Sequence, residues 1–298
     1  SNVKTGNGRS PVRHFIPSTR SAKDLAVLFL CLFLWAPSPL RAEVPPGAPI
    51  LETAFPGTSQ EVKIYRIAGR QPGPTMLIVS GIHGDEPLCS LAADSYTGIG
   101  LQKGNLVVVP RLNRTALRTG NRHGAGGDMN RMFGLPENSR NPDIRVVNLA
   151  RSLIRKSDYV LNLHQGRGFY SPVWVDPKRN PRRWGQCNVI DAPSYDLPNG
   201  DKIELERYAK SIAENANGGI ADRNFHFLVN NTDTSSRDSR HVEQRKSLTY
   251  YALTKEHKIS VGIEVTKNCR REQAMSFLRA VINAAMRSAG ILAVEYPS

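Results

Sequence analysis

His83 and Glu86 lie three positions apart in segment 80–86, directly after an apolar run. At the start of a helix this spacing places two side chains on one face, and both residue types are common zinc ligands. The glycines on either side of His83 allow a tight turn and a close approach to a metal ion. An HxxE pair also occurs often by chance. The competing interpretation is a surface histidine with a glutamate that a helix N-terminus favours.

A second histidine, His164, closes the apolar run 157–163. A lone histidine at a strand end is more often structural than catalytic. This one, however, lies at the same predicted sheet edge as His83. Two histidines and one glutamate form the ligand set of an open, catalytic zinc site, whereas a structural zinc site needs four protein ligands. The sequence therefore predicts a catalytic zinc site at His83, Glu86 and His164.

Glu264 interrupts the apolar run 259–265. Burying a carboxylate without a partner costs free energy, so one interpretation is an edge-strand glutamate that faces water. The other is a general base beside the zinc ion, because zinc lowers the pKa of its water to near 7 and a carboxylate can then relay the proton. The residues alone leave both interpretations of Glu264 open.

The fourth group of polar residues lies in the glycine-rich segment 113–134, where Asp128, Asn130 and Arg131 stand together. Four arginines precede them, namely Arg111, Arg114, Arg118 and Arg122. Clustered arginines on such a loop suit bidentate binding of a carboxylate. The alternative is a solvated basic loop, which we favour for Arg111 and Arg114.

Apolar strands alternate with amphipathic helices along the chain. The predicted strands are 61–67, 76–80, 105–110, 157–163, 224–229 and 259–265. The predicted helices are 86–96, 143–156, 201–217, 245–254 and 271–289. We predict a turn over 68–74, a long loop over 113–134 and an irregular stretch up to Gly200. This alternation is typical of an α/β fold with a mostly parallel or mixed central sheet and helices on both faces. Ligands in such sheets bind at the carboxyl ends of the strands.

Residues 1–42 read as a signal peptide with an N-terminal extension. Basic residues precede the apolar run 25–35, and a cleavage site follows Ala42. The run is shorter than the roughly 20 residues that span a bilayer, although an uncleaved anchor or a buried helix are the alternatives. We therefore expect a periplasmic or secreted catalytic domain over 43–298, without stable membrane insertion after cleavage.

The net charge is +14, of which the leader contributes +5 through six Lys/Arg and one acidic residue. The remaining basic residues are scattered without a nucleic-acid motif, so we expect no nucleic-acid partner and favour an acidic polymer outside the cell membrane. Cys89, Cys187 and Cys269 follow the leader. An export compartment permits a Cys187–Cys269 disulfide, which the sequence alone does not settle.

Taken in chain order, the four motifs described above resemble those of the zinc carboxypeptidases of the carboxypeptidase A type. The resemblance covers nearly the whole chain after the leader. The resemblance implies that Asn130 and Arg131 bind the terminal carboxylate of the substrate. It implies that Glu264 acts as base and then acid, and that an arginine polarises the scissile carbonyl. Arg122 is the first choice for this arginine and Arg118 the second. The mobile active-site tyrosine of that family has no certain match, and Tyr250 and Tyr251 are the candidates.

Segments 163–173, 179–185 and 231–234 resemble more narrowly the cell-shape-determining D,L-carboxypeptidases of helical bacteria. That family removes the terminal meso-diaminopimelate from peptidoglycan tripeptide stems. Some members carry glutamine in place of the first zinc-ligating histidine, whereas this sequence keeps His83. Some also carry domains after the catalytic one, which we do not expect in a chain that ends at Ser298.

Two other functions stay open on the sequence. N-acyl amino acid amidohydrolases of the succinylglutamate desuccinylase type share the HxxE pair, the Asp-Met-Asn-Arg run and the late glutamate. A catalytically inactive wall-binding module could keep the same fold, but no ligand or base is missing here. Thr234, His226 and His241 are candidates for the substrate pocket or plain surface residues.

Overall fold

A nine-stranded mixed sheet forms the centre of residues 48–298, the part of the chain that the computed structural model describes. The predicted leader over 1–42 lies outside these residues and stays a prediction. The strands, in chain order, are β1 Ile50–Ala54, β2 Val62–Ala68, β3 Gln71–Val79, β4 Leu101–Val109, β5 Tyr159–Gly166, β6 Phe169–Tyr170, β7 Arg179–Asn180, β8 Cys187–Ile190, β9 Tyr195–Asp196, β10 Lys202–Ile203, β11 Leu228–Asn231, β12 Ile259–Thr266 and β13 Leu292–Ala293.

The sheet follows the order β1-β2-β4-β3-β5-β12-β8-β11, with β13 paired to β4. The four central strands β4, β3, β5 and β12 are parallel to one another. Strands β2 and β8 join them antiparallel on either side. Two further pairs, β6 with β7 and β9 with β10, lie apart from this sheet. The mostly parallel, mixed sheet that the sequence predicts is therefore confirmed.

Helices cover both faces of the sheet, as parallel sheets require. They are α1 Pro87–Asp94, α2 Arg114–Thr119, α3 Ile144–Arg155, α4 Leu205–Asn217, α5 Leu248–Thr254 and α6 Arg271–Ser288. Helices α1, α4 and α6 pack on one face, and α3 and α5 on the other. Strand β3 shows the reason, because Met76 and Ile78 point into the first apolar cluster while Leu77 and Val79 point into the second.

The register between β5 and β12 brings the predicted chemical groups together. His164 on β5 is the direct neighbour of Glu264 on β12. Both strands are parallel, so their carboxyl ends share one edge of the sheet. Strand β3 runs in the same direction and ends at Val79, just before the segment that carries His83. Three adjacent strands thus deliver the predicted site to one edge.

Several element boundaries differ from the sequence prediction. The predicted turn over 68–74 is shorter, because β3 already begins at Gln71 and reaches its regular pairing through a register shift. The predicted helix over 201–217 begins only at Leu205, after the short strand β10. The predicted strand over 224–229 is displaced to Leu228–Asn231, behind the 3₁₀ turn Arg223–Phe225.

Two regions that we predicted to be irregular contain regular structure. The loop over 113–134 holds α2, where the Asn113 side chain accepts a hydrogen bond from Ala116 and Gly120 ends the helix in the left-handed conformation. It also holds the 3₁₀ helix Met129–Arg131. The stretch up to Gly200 contains the buried strand β8. Its four residues are too few to show a periodic pattern in the sequence.

Cys89, Cys187 and Cys269 are free thiols in the described chain, so the Cys187–Cys269 disulfide is not formed. Each is buried or half-buried, which raises the pKa of each thiol above its ordinary value. A search of the described residues also finds no helix with the length and apolar character needed to span a membrane.

Candidate active site

A buried triad of His83, Glu86 and His164 forms the floor of the candidate site. The Nδ1 atom of His83 lies 2.9 Å from Glu86 Oε1, and the Nδ1 atom of His164 lies 2.9 Å from Glu86 Oε2. The three ligand atoms lie within 4.8 Å of one another. The structure therefore brings the three predicted ligands together in an arrangement that can hold a metal ion.

The pairing of His83 with Glu86 has a different local cause from the one that we predicted. Helix α1 begins at Pro87, so Glu86 is its N-cap and His83 lies before the helix, in the connection from β3. That connection is packed tightly against the 113–134 segment. A Cβ on Gly84 would lie 2.0 Å from the carbonyl oxygen of Ala116. The absence of a side chain at Gly84 thus lets the loop approach closely enough to turn His83 towards Glu86.

Asp128 fixes the other side of the His83 ring. Its Oδ1 atom lies 3.0 Å from His83 Nε2, and the same oxygen accepts a hydrogen bond from the Asn130 backbone. A histidine that donates Nε2–H to a carboxylate keeps the lone pair of Nδ1 for a metal ion. The guanidinium of Arg122 contacts the second oxygen of Asp128 at 3.2 Å and Glu86 Oε1 at 3.5 Å. These contacts link Arg122 to the triad.

Charge and burial compete within the triad. Burial alone raises the pKa of Glu86, but His164 and His83 outweigh it and hold that pKa well below its usual range. Burial lowers the pKa of His83, but the hydrogen bonds to Asp128 and Glu86 outweigh it and raise the pKa above its ordinary value. For His164 burial prevails over Glu86, and its pKa is lowered. The surroundings therefore favour positive charge at His83 and the neutral form of His164.

Glu264 is half-buried on β12 next to the triad. Burial, together with the negative charge of Glu86, raises the pKa of Glu264 well above its ordinary value, although Arg122 and Lys267 act against this shift. A carboxyl with a raised pKa can both accept and return a proton near neutral pH. The structure thus places Glu264 beside the triad, and its role as the base stays a prediction.

A cavity of about 430 Å³ opens above the triad. Its lining residues are His83, Asp85, Glu86, Arg122, Asn130, Arg131, His164, Gln165, Gly166, Arg167, Trp184, Val189, Gln244, Thr249, Gly262, Glu264 and Lys267. Asn130 is buried, and its Oδ1 accepts a hydrogen bond from the Leu248 backbone, which leaves the amide nitrogen for a ligand. The pKa of Arg131 is lowered by burial. The two residues predicted to bind a carboxylate therefore share this cavity with the triad and Glu264.

The arginines of the same loop separate into two groups. Arg122 lines the cavity, whereas Arg118 is exposed at the end of α2 and lies outside the lining. Arg111 pairs with Asp94, and Arg114 pairs with Glu61, both on the surface. The placement favours Arg122 over Arg118 as the residue that polarises a carbonyl, and this role stays a prediction.

Three predicted pocket residues lie outside the cavity lining. Thr234 is fully buried, and its hydroxyl lies 2.8 Å from that of Thr232. His226 bonds through Nε2 to the carbonyl of Ile220 at 2.8 Å. His241 packs edge-on against Trp184, with ring centroids 5.5 Å apart, and so reaches the site only through a neighbour.

Tyr250 and Tyr251, the two candidates for a mobile tyrosine, also lie outside the cavity lining. Both belong to α5, and the hydroxyl of Tyr251 donates to Glu256 at 2.8 Å. The structure brings neither hydroxyl into the site.

Sequence reasoning missed several residues that the cavity contains. Asp128 was visible within the Asp-Met-Asn-Arg run, but only its contact with His83 shows a role. Lys267 follows Glu264 by three residues and donates to Asp85 at 2.8 Å. Trp184 lies in segment 179–185, which carries the narrower resemblance but gave Trp184 no role, and Thr249 comes from a segment without a distinctive pattern. Their placement follows from the packing of the chain.

The fold and the triad together define a class of protein. A mostly parallel mixed sheet with helices on both faces is the zinc carboxypeptidase/aspartoacylase-like fold. In this chain one edge of the sheet carries two histidines, a glutamate and a nearby second glutamate. Residues 59–292 match the family model described as the catalytic part of carboxypeptidases controlling helical cell shape, peptidase M99. The chain belongs to this family.

Solved structures of the cell shape determinant Csd4 from Helicobacter pylori are similar to the chain. The tripeptide-bound form is 28% identical with a TM-score of 0.72, and the match covers 80% of this chain and 57% of that chain. The mDAP-bound form, described as a D,L-carboxypeptidase, is 29% identical with a TM-score of 0.69 and coverage of 76% and 52%. The chain thus spans little more than half the length of these relatives.

Two further relatives catalyse other reactions. An N-alpha-acetyl-L-2,4-diaminobutyric acid deacetylase from Halomonas elongata is 36% identical over 115 residues, which cover 34% of this chain and 31% of that protein. A succinylglutamate desuccinylase/aspartoacylase from Rhodobacter sphaeroides is 14% identical, with a TM-score of 0.51 and coverage of 78% and 60%. The second likeness shows a shared fold alone.

Proposed function

We propose that the protein is a zinc-dependent exopeptidase that hydrolyses the C-terminal residue of peptidoglycan stem peptides and releases meso-diaminopimelate from the tripeptide. The observation that carries this proposal is the shared cavity. One opening of about 430 Å³ contains the His-Glu-His triad, the carboxyl of Glu264, and Asn130 with Arg131. A metal site, a proton carrier and a carboxylate anchor within one cavity are the parts that an exopeptidase requires.

The triad fits a zinc ion by its donor set and by its charge. Two imidazole nitrogens and one carboxylate are typical of open zinc sites, with bonds of about 2.0–2.2 Å. The contacts that raise the pKa of His83 favour a cation at Nδ1, and a divalent ion can take the place of that proton. His83 and His164 would supply Nδ1, and Glu86 its carboxylate. A bound zinc ion supplies Lewis acidity and a water molecule of lowered pKa.

Substrate binding would begin at the anchor pair. Arg131 can form paired hydrogen bonds to the terminal carboxylate of a peptide, and the free amide nitrogen of Asn130 can add another. Binding of the terminal carboxylate would select the ends of peptide chains as substrates. Arg122 lies beside Glu86 and Asp128, from where its guanidinium can donate to the oxygen of the scissile carbonyl as negative charge develops there.

Glu264 would carry the proton. It accepts a proton from the attacking water and then donates it to the nitrogen of the leaving residue. Its raised pKa stabilises the protonated state between these two transfers. Arg122, Lys267 and Arg131 act against that rise, because their positive charges favour the ionised carboxylate.

The family membership and the two Csd4 complexes support the substrate. Csd4 is bound to a tripeptide in one structure and to mDAP in another. An excess of basic residues in this chain also suits an acidic stem peptide. Because the chain covers only part of these relatives, its substrate is part of the proposal.

A second candidate function is the hydrolysis of N-acyl amino acids. The similarity to the Halomonas deacetylase over a third of the chain favours it. The carboxylate anchor suits such substrates as well. An inactive wall-binding module is less well supported, because the triad and Glu264 are all present in one cavity.

We also propose export to the periplasm or secretion. The basic residues, apolar run and cleavage site in 1–42 support it. The test is N-terminal sequencing of the protein recovered from a fractionated host. A start at Glu43 outside the cytoplasm is expected, and an intact leader in the cytoplasm would contradict this proposal.

The catalytic proposal is tested by digestion of purified muropeptides with protein 43–298, with zinc or with a chelator, followed by mass spectrometry. Loss of one diaminopimelate from the tripeptide is expected, with full dependence on the metal. A tripeptide amidated at its terminal carboxylate is the matched control, and it should resist cleavage because Arg131 loses its partner.

N-succinyl-glutamate, assayed in parallel, separates the alternatives. Its cleavage without loss from any muropeptide would favour the amidohydrolase. A protein that binds close to no zinc and cleaves neither substrate would favour the inactive module.

A further inference from the structure

A second cavity lies next to the catalytic one. It has a volume of about 300 Å³ and is lined by Arg167, Gly168, Lys178, Arg183, Lys267 and Asn268, which together are called the basic pocket. Arg167 and Lys267 belong to the lining of both cavities. The two openings therefore adjoin each other across these two cationic side chains.

The basic pocket has four cationic side chains and no acidic one in its lining. Lys267 pairs with Asp85 at 2.8 Å. Within residues 48–298, Arg167, Lys178 and Arg183 form no ion pair. Like charges held close together repel one another, and a bound anion relieves that repulsion. The pocket thus favours a negatively charged ligand.

Hydrogen bonds fix two of the donors in place. Arg183 donates through Nε to the Pro177 carbonyl at 2.8 Å, which leaves its terminal nitrogens for another partner. The Oδ1 atom of Asn268 accepts from the Gly168 backbone at 2.7 Å, which leaves its amide nitrogen as a donor. A fixed guanidinium fork next to an amide is well suited to a carboxylate.

Gly168 allows these donors to meet. It has a positive φ of 70°, and a Cβ there would lie 2.5 Å from the Lys178 carbonyl and 2.8 Å from Arg183 Cδ. A residue with a side chain would therefore push the two cations away from the loop that carries Asn268. The close approach is built into the backbone.

The basic pocket adjoins the catalytic cavity at Arg167 and Lys267, whereas the proposed carboxylate anchor, Asn130 with Arg131, lines the catalytic cavity alone. Arg167 follows His164 by three residues, and Lys267 follows Glu264 by three residues, on the paired strands β5 and β12. Gly262, two residues before Glu264 on β12, also lines the catalytic cavity. The cavity that contains Glu264 thus holds the anchor pair and also adjoins the basic pocket, two regions that attract anions.

We propose that the basic pocket binds a carboxylate on the residue that precedes the scissile bond. This inference rests on the proposed exopeptidase function and extends it. A substrate anchored by its terminal carboxylate at Arg131 extends past Glu264 towards Arg167 and Lys267. In a stem tripeptide the middle residue is D-glutamate joined through its side-chain carboxyl, so its α-carboxylate is free. That carboxylate is the group that the basic pocket recognises.

Two tripeptides test this, L-alanyl-γ-D-glutamyl-meso-diaminopimelate and the same peptide with the α-carboxyl of its middle residue amidated. The wild-type protein is expected to prefer the carboxylate by about 10- to 100-fold in kcat/KM, because charge-assisted bonds of this kind are lost on amidation. The variant Arg183→Gln should reduce the preference to below about threefold by raising KM for the carboxylate peptide alone. Arg70→Gln, an exposed arginine between β2 and β3 at the opposite sheet edge, is the control.

Equal turnover of the two peptides by the wild-type protein would overturn the proposal. So would an Arg183→Gln variant, folded by circular dichroism, that slows both peptides equally. If neither peptide is cleaved, the exopeptidase function fails, and calorimetric binding to the zinc-loaded wild-type protein decides the pocket. Tighter binding of the carboxylate peptide, lost in Arg183→Gln, supports the pocket. Equal affinity or no binding overturns it.

Discussion

Two of the regions that supply the candidate site are built differently. His164 and Glu264 lie on β5 and β12, where a continuous parallel ladder and two apolar clusters fix the backbone. Arg122, Asp128 and Asn130 lie on the 110–143 connection, which has little regular structure. The difference teaches that the candidate site combines side chains on rigid strands with side chains on a connection that polar contacts hold in place.

Polar side chains hold that connection in place of a ladder. The carboxylate of Asp143 is fully buried and accepts from the Gly126 backbone at 2.8 Å. Arg151 on α3 donates to the carbonyls of Phe133 and Leu135. Asn130 accepts from the Leu248 backbone. Each such bond contributes about 0.5–1.5 kcal/mol, with more for charged partners, so the connection depends on a few specific residues.

The largest effect is expected on the strand side, from Glu264→Gln. Because this change removes the proton carrier and preserves shape, kcat on the tripeptide should fall by about 10²–10⁴-fold. KM and bound zinc should change little. Steady-state kinetics with metal analysis checks this, and Glu272→Gln, an exposed glutamate on α6, is the matched control. Wild-type turnover in Glu264→Gln would show that β12 does not carry the base.

On the connection, Arg122→Gln should lower kcat by about 10²–10³-fold, since it removes one donor to the developing oxyanion. Arg118→Gln should leave kcat within about twofold, because the side chain is exposed outside the cavity and surface changes are usually near neutral. Kinetics of the two purified variants side by side gives the answer. The reverse order of effects would assign the carbonyl contact to Arg118 and contradict the placement described above.

The variant Asp128→Asn tests how the connection supports the metal site, because Asp128 lies on the connection and contacts the ring of His83. Loss of its charge should weaken zinc binding by about 10- to 100-fold, as is usual when the carboxylate behind a metal-binding histidine is changed. Competition with a zinc chelator measures this. Turnover at saturating zinc should recover in part, and unchanged affinity would show that the connection does not support the metal site. Asp238→Asn, on the surface, is the control.

The smallest effect concerns stability. Asp191 is buried, and burial raises its pKa to about 6 from the ordinary 3.8, although Thr234 and Thr249 act against the shift. Folding therefore takes up a proton between about pH 4 and 6, and the contribution of this group falls by about 3 kcal/mol as pH rises through that window. The variant Asp191→Asn should not show this fall. Its free energy of unfolding relative to that of the wild type should therefore increase between pH 4 and 7.5.

Urea unfolding of both proteins at several pH values measures this difference. The comparison between variant and wild type cancels the opposite trend that Glu86 and Asp128 contribute, because their lowered pKa values act equally in both. A constant difference across pH would show that Asp191 titrates normally, and that the wall of the cavity near Thr249 is more open to water than its burial indicates.

Much of the fold followed from the sequence. Apolar runs such as 76–80 and 259–265 predicted the central strands because a strand buried on both faces needs continuous apolar residues. The predicted helices over 143–156 and 271–289 follow from long amphipathic periodicity. Short elements such as β8 and α2 could not be predicted from the sequence, because four to six residues carry too little periodicity. Their structure depends on the neighbours that they contact.

The residue types at the site were also determined by the sequence. Histidine, glutamate and arginine at the ends of apolar runs, in the order His83, Glu86, His164 and Glu264, indicated metal-dependent chemistry. Their roles came from the resemblance to a family. The His83–Glu86 pair was correct in identity, but the predicted cause, a shared helix face, was wrong because α1 begins only at Pro87.

Only the tertiary structure decided which polar residues meet. It set Arg122 in the cavity and Arg118 outside it, joined Asp128 to His83, and assembled the basic pocket from segments far apart in the chain. The physical reason is one of range. Periodicity and residue type report the local preferences of the backbone, whereas contacts between loops arise from the order and direction of the strands that carry them.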